Sequence, residues 1–128
     1  MKLMIVEDNE EMRMLMRSLL EDMADAITEC ADGSEAVEAY GKFKPDWVLM
    51  DIKMKLVDGI VATARITALY PDARVAIVTD YDDKHLRQAA RKAGASAYLL
   101  KENLFDIRRL LGEGVQPEIT DDSEGRKQ

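Results

Sequence analysis

The stretch WVLMD, residues 47–51, joins an apolar run of strand length to a carboxylate at its carboxyl end. Three other apolar runs also stop at a polar side chain that phosphate chemistry uses: LMIV before Glu7 and Asp8, VAIV before Thr79, and AYLL before Lys101. If these runs are neighbouring parallel strands, the polar side chains emerge together at the rim where open α/β sheets bind their ligands. The pattern therefore predicts a crevice that contains carboxylates, a hydroxyl and an ammonium.

Hydrophobic periodicity indicates the order of the elements. Continuous apolar runs at residues 3–6, 47–50, 75–78 and 97–100 are typical of strands that helices cover on both faces. Residues 26–31, AITECA, alternate more and predict a partly exposed edge strand. Helical patterns separate the strands, so strand and helix alternate five times. We therefore predict an α/β, flavodoxin-like fold with a five-stranded parallel sheet of order 2-1-3-4-5 and five helices on both faces.

The first three helices are predicted from apolar spacing and capping residues. The first has apolar residues three and four positions apart, on a face expected to pack onto the sheet: Met12, Leu15, Met16, Leu19 and Leu20. Ser34 is the predicted N-cap of a second helix that ends near Lys42. Asp58 is expected to precede a third helix over about residues 59–69.

The fourth and fifth helices complete the predicted order. Asp82 or Asp83 is expected to cap the fourth helix, and Gly94 is suited to a left-handed cap after its end. A short fifth helix is expected from Leu104 and should break at Gly112.

The length of 128 residues matches one ordinary domain. We expect residues 1–111 to form this domain, and residues 112–128 to be a flexible polar tail or the start of a linker, because they lack helical periodicity. No apolar run approaches the roughly 20 residues of a membrane span, and the N-terminus lacks the apolar region of a secretory signal. A cytoplasmic protein is therefore expected, and the single cysteine, Cys30, allows no internal disulfide.

The net charge and the sequence motifs limit the possible functions. A net charge of -7 argues against nonspecific binding of nucleic acid, whose phosphates favour a basic surface. The sequence contains no Walker loop, no GxGxxG and no GxSxG nucleophile elbow. Glu7, Asp8 and Asp51 would repel one another in one crevice unless a cation were bound, and Mg²⁺ suits such oxygen ligands. Asp51 could then attack phosphorus to form an acyl phosphate, with Lys101 and Thr79 contacting the phosphoryl oxygens.

Over about residues 1–111 the chain resembles a response regulator receiver domain. The residues and motifs that carry the resemblance are Glu7 and Asp8, Asp51 within VLMDIKM, Asp58 and Gly59, Thr79, and Tyr98 before Lys101. The stretches LMIVEDNEEMR and AGASAYLLK are most similar to receivers attached to helix-turn-helix transcription factors. The resemblance covers nearly everything except the predicted tail.

The resemblance implies a place in two-component signalling. Asp51 would take a phosphoryl group from a sensor histidine kinase or a histidine phosphotransfer protein. Mg²⁺ would be held by Asp8, Asp51 and the backbone carbonyl of Lys53, with Glu7 acting mostly through water. The chain would be a phosphoacceptor rather than a turnover enzyme.

The resemblance also implies a switch and an output surface. Thr79 and Tyr98 would reshape the surface of the fourth helix, fifth strand and fifth helix after phosphorylation. That surface would bind a downstream protein or a second copy of the chain, and the chain itself would not bind DNA directly. For Tyr98, simple packing within a strand stays an alternative interpretation.

Four positions are expected to affect how fast the phosphoryl group is gained or lost. Lys55 stands where such receivers usually have proline, which predicts a less rigid or differently bent loop after the nucleophile. Asp80 stands where they usually have a small residue, and its charge is expected to slow phosphoryl entry or change phosphoryl lifetime. Lys53 and Tyr81 occupy positions that influence phosphoryl hydrolysis in the family.

Three alternatives remain open at this point. A haloacid dehalogenase-like hydrolase also uses an aspartyl phosphate, but it usually has a second acid two positions after the nucleophile, where this chain has Lys53. A receiver-fold scaffold that signals without phosphate is the second alternative, which Asp80 and Lys55 support. The third is the receiver half of a longer DNA-binding transcription regulator.

Overall fold

The computed structural model describes residues 1–113. Its centre is a five-stranded sheet in which every neighbouring pair is parallel, in the order β2-β1-β3-β4-β5, and this confirms the predicted topology. The strands are β1 Lys2–Val6, β2 Ala26–Cys30, β3 Trp47–Met50, β4 Val75–Thr79 and β5 Ala97–Leu100. As predicted, β2 is a partly exposed edge strand.

A helix follows each strand. The helices are α1 Glu10–Leu20, α2 Gly33–Phe43, α3 Gly59–Leu69, α4 Lys84–Lys92 and α5 Phe105–Glu113, with short 3-10 segments at Glu21–Met23 and Lys101–Asn103. The last helix does not break at Gly112 as predicted, because buried Leu110 and Leu111 hold its final turn against the core. The rest of the predicted tail lies outside the described residues. Up to residue 113, no helix combines the length and apolar character that crossing a bilayer requires.

Side chains alternate between the two faces of the sheet, so the core has two halves. On β1, Met4 and Val6 belong to the half that α2, α3 and α4 cover, while Leu3 and Ile5 belong to the half that α1 and α5 cover. All four side chains are fully buried. The continuous apolar runs in the sequence therefore reflect strands with both faces covered.

The apolar face of α1 differs from the prediction at Leu15. Met16 and Leu20 are buried, and Met12 and Leu19 pack against the core, but Leu15 is 50% exposed. With 3.6 residues per turn, Leu15 lies about 100° around the helix from Met16. It faces the rim of the crevice described below instead of the sheet.

Carboxylates cap α2, α3 and α4. Asp32, rather than the predicted Ser34, is the N-cap of α2 and accepts a hydrogen bond from the Ser34 N–H at 2.8 Å. A carboxylate has a second oxygen for other amides, which a serine hydroxyl lacks. Asp58 caps α3 and Asp83 caps α4, and Gly94 has the positive φ of 98° that its predicted cap requires.

The start of α3 is in backbone contact with the residue that follows β3. A Cβ at Gly59 would lie 1.8 Å from the backbone oxygen of Asp51, so no larger residue fits without a shift of the main chain. The Gly59 N–H also donates to the carbonyl of Ile52 at 2.8 Å. These contacts hold the first turn of α3 next to Asp51.

We expect Gly59→Ala to lower the free energy of unfolding by about 3 kcal/mol, because the added methyl must displace the backbone at Asp51. The matched control is Gly112→Ala, whose Cβ would meet only the flexible end of Met23, 3.1 Å away, and should change stability by less than about 1 kcal/mol. Urea unfolding followed by fluorescence of the buried Trp47 measures both. Equal stabilities for the two variants would contradict the close contact.

Candidate functional site

The carboxyl ends of β1, β3 and β5 bring three ionisable side chains together. Lys101 Nζ lies 3.0 Å from Glu7 Oε1 and 3.2 Å from Asp51 Oδ1. The backbone ladder continues past the strand ends, because the Glu7 N–H donates to the carbonyl of Cys30 and the Asp51 N–H donates to that of Val6. The backbones that carry the two carboxylates are therefore fixed relative to each other.

Both carboxylates are buried beside a single ammonium. Glu7 is 1% exposed and Asp51 is 6% exposed. Burial, followed by the negative charge of Glu7, raises the pKa of Asp51 to about 7, although Lys101 opposes this rise. Burial would lower the pKa of Lys101, but its contacts with Glu7 and Asp51 raise that pKa above its usual value. Lys101 is therefore a permanent positive charge shared by two acids.

A third carboxylate, Asp8, lies on the solvent side of this pair. One ligand oxygen from each of Glu7, Asp8 and Asp51 lies within 4.8 Å of the other two. Apart from the ion pair with Lys101, Glu7 Oε1 accepts no hydrogen bond from residues 1–113. Three carboxylates whose oxygens lie close together, one of them with an unused lone pair on Oε1 of Glu7, suit a hydrated divalent cation such as Mg²⁺.

Three residues predicted to tune the kinetics lie at the mouth of the crevice. Lys53, Asp80 and Tyr81 line it together with the acidic cluster and Lys101. The Lys53 ammonium lies 5.5 Å from the centre of the Tyr81 ring, and Tyr81 is 45% exposed. Asp80 is exposed and adds a negative charge at the entrance. The crevice has a volume of about 440 Å³, which is within the range of small-ligand sites.

Thr79 lies below this surface. It is fully buried at the end of β4, and its Oγ1 accepts a hydrogen bond from the Tyr81 N–H at 3.3 Å. Thr79 is not among the residues that line the crevice. The structure therefore places the backbone of Thr79 at the predicted rim but keeps its hydroxyl beneath Asp80 and Tyr81.

Tyr98 is directed inward and is 5% exposed. Its hydroxyl donates to the carbonyl of Tyr81 at 2.7 Å, and the Arg87 guanidinium lies 4.6 Å from the centre of its ring. Burial raises the pKa of Tyr98 to about 12, although the nearby Arg87 opposes the rise. Thr79 and Tyr98 are thus connected through the backbone of one residue, Tyr81.

Sequence reasoning missed Arg13 and Arg87, whose side chains contact Glu7 and Tyr98. Arg13 donates from Nη1 to the carbonyl of Glu7 at 2.7 Å and from Nε to Glu29 at 3.0 Å. Arg87 covers the ring of Tyr98 and pairs with Asp82 at 2.8 Å. Both are charged residues on amphipathic helices, and no spacing signal distinguishes them from ordinary surface charges.

Known proteins similar to this chain include chemotaxis proteins and transcriptional regulatory proteins. A family model described as response regulator receiver domain matches residues 3–112. Chemotaxis protein CheY of Halobacterium salinarum is 38% identical over 100 residues, which cover 78% of this chain and 83% of that protein. Transcriptional regulatory protein DegU of Brevibacillus brevis is 32% identical in an alignment of 128 positions, and the match covers 93% of this chain and 54% of that protein. The chain spans about half the length of the transcriptional regulatory relatives that it matches.

Solved structures of receiver proteins share the fold. The response regulator domain of Thermotoga maritima CheB matches with a TM-score of 0.80 at 24% identity, over 91% of this chain and 98% of that one. A LuxR-family two-component response regulator from Aurantimonas sp. SI85-9A1 matches with a TM-score of 0.79 at 29% identity, over 94% of this chain and 89% of that one. The sheet order and the five helices are therefore those of a receiver domain.

Removing Lys101 or Asp51 should change stability in opposite directions when no divalent cation is present. Lys101→Met leaves two buried carboxylates without their counter-charge and should lower the free energy of unfolding by about 3 kcal/mol. Asp51→Asn removes one of the two repelling charges and should raise it by about 1 kcal/mol.

Urea unfolding at pH 8 in EDTA measures both changes. The control is Lys42→Met, which removes an ion pair with Glu38 in which both side chains are 77% exposed, and should cost less than about 1 kcal/mol. Equal losses for Lys101→Met and Lys42→Met would refute the charge balance described for the crevice.

Proposed function

This chain belongs to the response regulator receiver domain family, and on that premise we propose that it takes a phosphoryl group onto Asp51 and transmits the change to a protein partner. The observation that carries the proposal is the position of Lys101 Nζ, 3.2 Å from Asp51 Oδ1 and 3.0 Å from Glu7 Oε1. A fixed ammonium beside a buried carboxylate can neutralise the oxygens of an incoming phosphoryl group.

The donor is a phosphohistidine on a sensor histidine kinase or a histidine phosphotransfer protein. A carboxylate oxygen of Asp51 forms a bond to phosphorus while the phosphorus–nitrogen bond of the donor breaks, and the imidazole leaves with that electron pair. Lys101 contacts a phosphoryl oxygen as the group arrives. The reaction stops at one acyl phosphate per chain, so the domain is a phosphoacceptor rather than a turnover enzyme.

Asp8, Asp51 and the backbone carbonyl of Lys53 would hold Mg²⁺, with Glu7 acting mostly through water. When bound, the ion supplies positive charge that offsets the repulsion between the carboxylates and the phosphoryl oxygens. The spacing of the acidic oxygens and the spare lone pair on Glu7 Oε1 support this assignment.

The contacts of Tyr81 suggest how the phosphoryl group could act on the surface. If the Thr79 hydroxyl moves toward the phosphoryl group, it gives up the Tyr81 N–H, and the Tyr81 carbonyl carries Tyr98 with it. The surface formed by α4, β5 and α5 would change as a result. A downstream protein or a second copy of the chain would bind there.

Relatives that are about twice as long favour one extension of this proposal. The transcriptional regulatory proteins that this chain matches are similar to it over roughly half their length, so the chain could serve as the receiver half of a DNA-binding regulator. A receiver-fold scaffold that signals without phosphate is the other candidate, and the negative charge of Asp80 at the crevice mouth favours it.

Acetyl phosphate with Mg²⁺ should label the wild-type chain with up to one phosphoryl group, and Asp51→Asn should abolish the label, because the amide is a poor nucleophile. EDTA should also prevent labelling. Intact-protein mass spectrometry measures the stoichiometry. Absence of label under conditions that label a known receiver would favour the scaffold, and sustained release of phosphate at many equivalents per chain would favour a hydrolase.

Asp80→Ala should speed phosphoryl entry or change the lifetime of the phosphoryl group, because it removes a negative charge from the crevice mouth. We expect at least a threefold change in the labelling or decay rate at low ionic strength, with a smaller change at high salt. Asp72→Ala is the matched control. Asp72 is exposed and precedes β4, so it lies at the amino ends of the strands, whereas the crevice lies at their carboxyl ends. Unchanged labelling and decay rates in Asp80→Ala would rule out a role for this charge.

A further inference from the structure

A buried carboxylate outside the crevice, Asp32, ties the loop between β3 and α3 to the start of α2. Asp32 is 7% exposed. Its Oδ1 accepts a hydrogen bond from the Leu56 N–H at 2.9 Å, and its Oδ2 accepts one from the Val57 N–H at 3.1 Å. The same Oδ2 accepts the capping bond from the Ser34 N–H at 2.8 Å. One side chain therefore serves a helix and a loop that are more than twenty residues apart.

The backbones of the helix and the loop are also in direct contact. A Cβ at Gly33 would lie 2.4 Å from the carbonyl oxygen of Val57 and 3.1 Å from the Cβ of Ala62. Burial would raise the pKa of Asp32, but the hydrogen bonds from Leu56, Ser34 and Val57 lower it to about 2. The Asp32 carboxylate is therefore ionised and accepts hydrogen bonds from backbone amides of both the helix and the loop, which holds the two segments together.

The tethered loop is the one that leaves Asp51. Lys53, whose carbonyl is proposed to hold the cation, lies only three residues before the first tethered amide, that of Leu56. Lys55 lies between them, where a proline would restrict the backbone of the loop. The Gly59 N–H fixes the Ile52 carbonyl on one side of Lys53, and Asp32 fixes the amides of Leu56 and Val57 on the other. Without the covalent restriction of a proline, the second of these contacts helps to set the position of the Lys53 carbonyl.

We propose that Asp32 is a positioning residue for the divalent cation: by holding Leu56 and Val57 it keeps the Lys53 carbonyl at the crevice. This inference rests on the proposed function of the acidic cluster. Asp32 is not among the residues that line the crevice, so its effect acts through backbone geometry. Groups that orient ligands in this way typically change metal affinity by about 10- to 100-fold.

The test is Asp32→Ser. A serine is a good N-cap and can still accept the bond from the Ser34 N–H, but its side chain is too short to reach the amides of Leu56 and Val57. We expect the dissociation constant for Mg²⁺, measured by calorimetry, to rise about tenfold. Amide hydrogen exchange at Leu56 and Val57 should accelerate. The labelling rate with acetyl phosphate should fall at low Mg²⁺ and return to the wild-type value at saturating Mg²⁺.

Asp83→Ser is the matched control, because Asp83 is also a carboxylate N-cap and its side chain accepts a bond from the Leu86 N–H. It should leave Mg²⁺ affinity unchanged. If Asp32→Ser does not fold, Asp32→Asn takes its place; it retains one acceptor oxygen, and the dissociation constant should rise at least threefold.

The outcomes separate this inference from the proposed function. If the wild-type chain binds Mg²⁺ and is labelled, but the Asp32 variant binds Mg²⁺ equally well, Asp32 has no positioning role while the proposed function stands. An equal loss of affinity in Asp83→Ser also overturns the inference, because the effect would then be general loosening of the fold. If the wild-type chain neither binds Mg²⁺ nor is labelled, both the proposed function and the inference are wrong.

Discussion

Two buried carboxylates share one ammonium at the carboxyl edge of the sheet. Lys101 lies within 3.2 Å of both Glu7 and Asp51, but one positive charge cannot neutralise two negative charges where burial weakens solvent screening. The result is an excess of negative charge that only a further cation, or protonation of Asp51, can relieve. The raised pKa of Asp51 and the proposed affinity for a cation are both consequences of this imbalance.

The parallel sheet keeps these charges close despite their repulsion. Because β1 lies between β2 and β3, the Glu7 amide extends the ladder to β2 by one residue and the Asp51 amide extends the ladder from β3 to β1. The backbones under the two carboxylates therefore cannot separate without breaking main-chain hydrogen bonds. Gly59 adds a second restraint, since α3 starts against the carbonyl of Asp51 at a distance that excludes a side chain. Stability elsewhere in the fold therefore maintains an unfavourable arrangement at the site, which is common where chemistry requires it.

Much of this arrangement could be predicted because it depends on local patterns. Each central strand is a continuous apolar run, and the polar residue after each run lies at the same edge of a parallel sheet. The exception within the crevice is the Thr79 hydroxyl, which is buried and does not line it, because it is turned to the amide of Tyr81. The face predicted for Leu15 is wrong, because a spacing of three or four residues does not define the width of the buried face of the helix, which tertiary packing decides. The sequence does not distinguish Ser34 from Asp32 as the N-cap of α2, because both are capping residue types, and only the loop that approaches α2 selects the carboxylate.

Contacts through the main chain could not be predicted in the same way. Nothing in the sequence indicates that the carbonyl of Tyr81 accepts the Tyr98 hydroxyl, because every residue has a carbonyl. The tether from Asp32 to Leu56 and Val57 is equally hidden, since the partners are amides in a loop without a motif. The side-chain chemistry of the crevice was therefore accessible from the sequence, whereas the links that connect it to the rest of the fold required coordinates.

Tyr81 makes two independent kinds of contact, one through its main chain and one through its ring. Its amide and carbonyl contact Thr79 and Tyr98, while its exposed ring lies at the crevice mouth beside Lys53. A substitution at this position exchanges the ring but retains both main-chain bonds. If the proposed function holds, variation of this ring would adjust the lifetime of the phosphoryl group while the main-chain contacts to Thr79 and Tyr98 are retained.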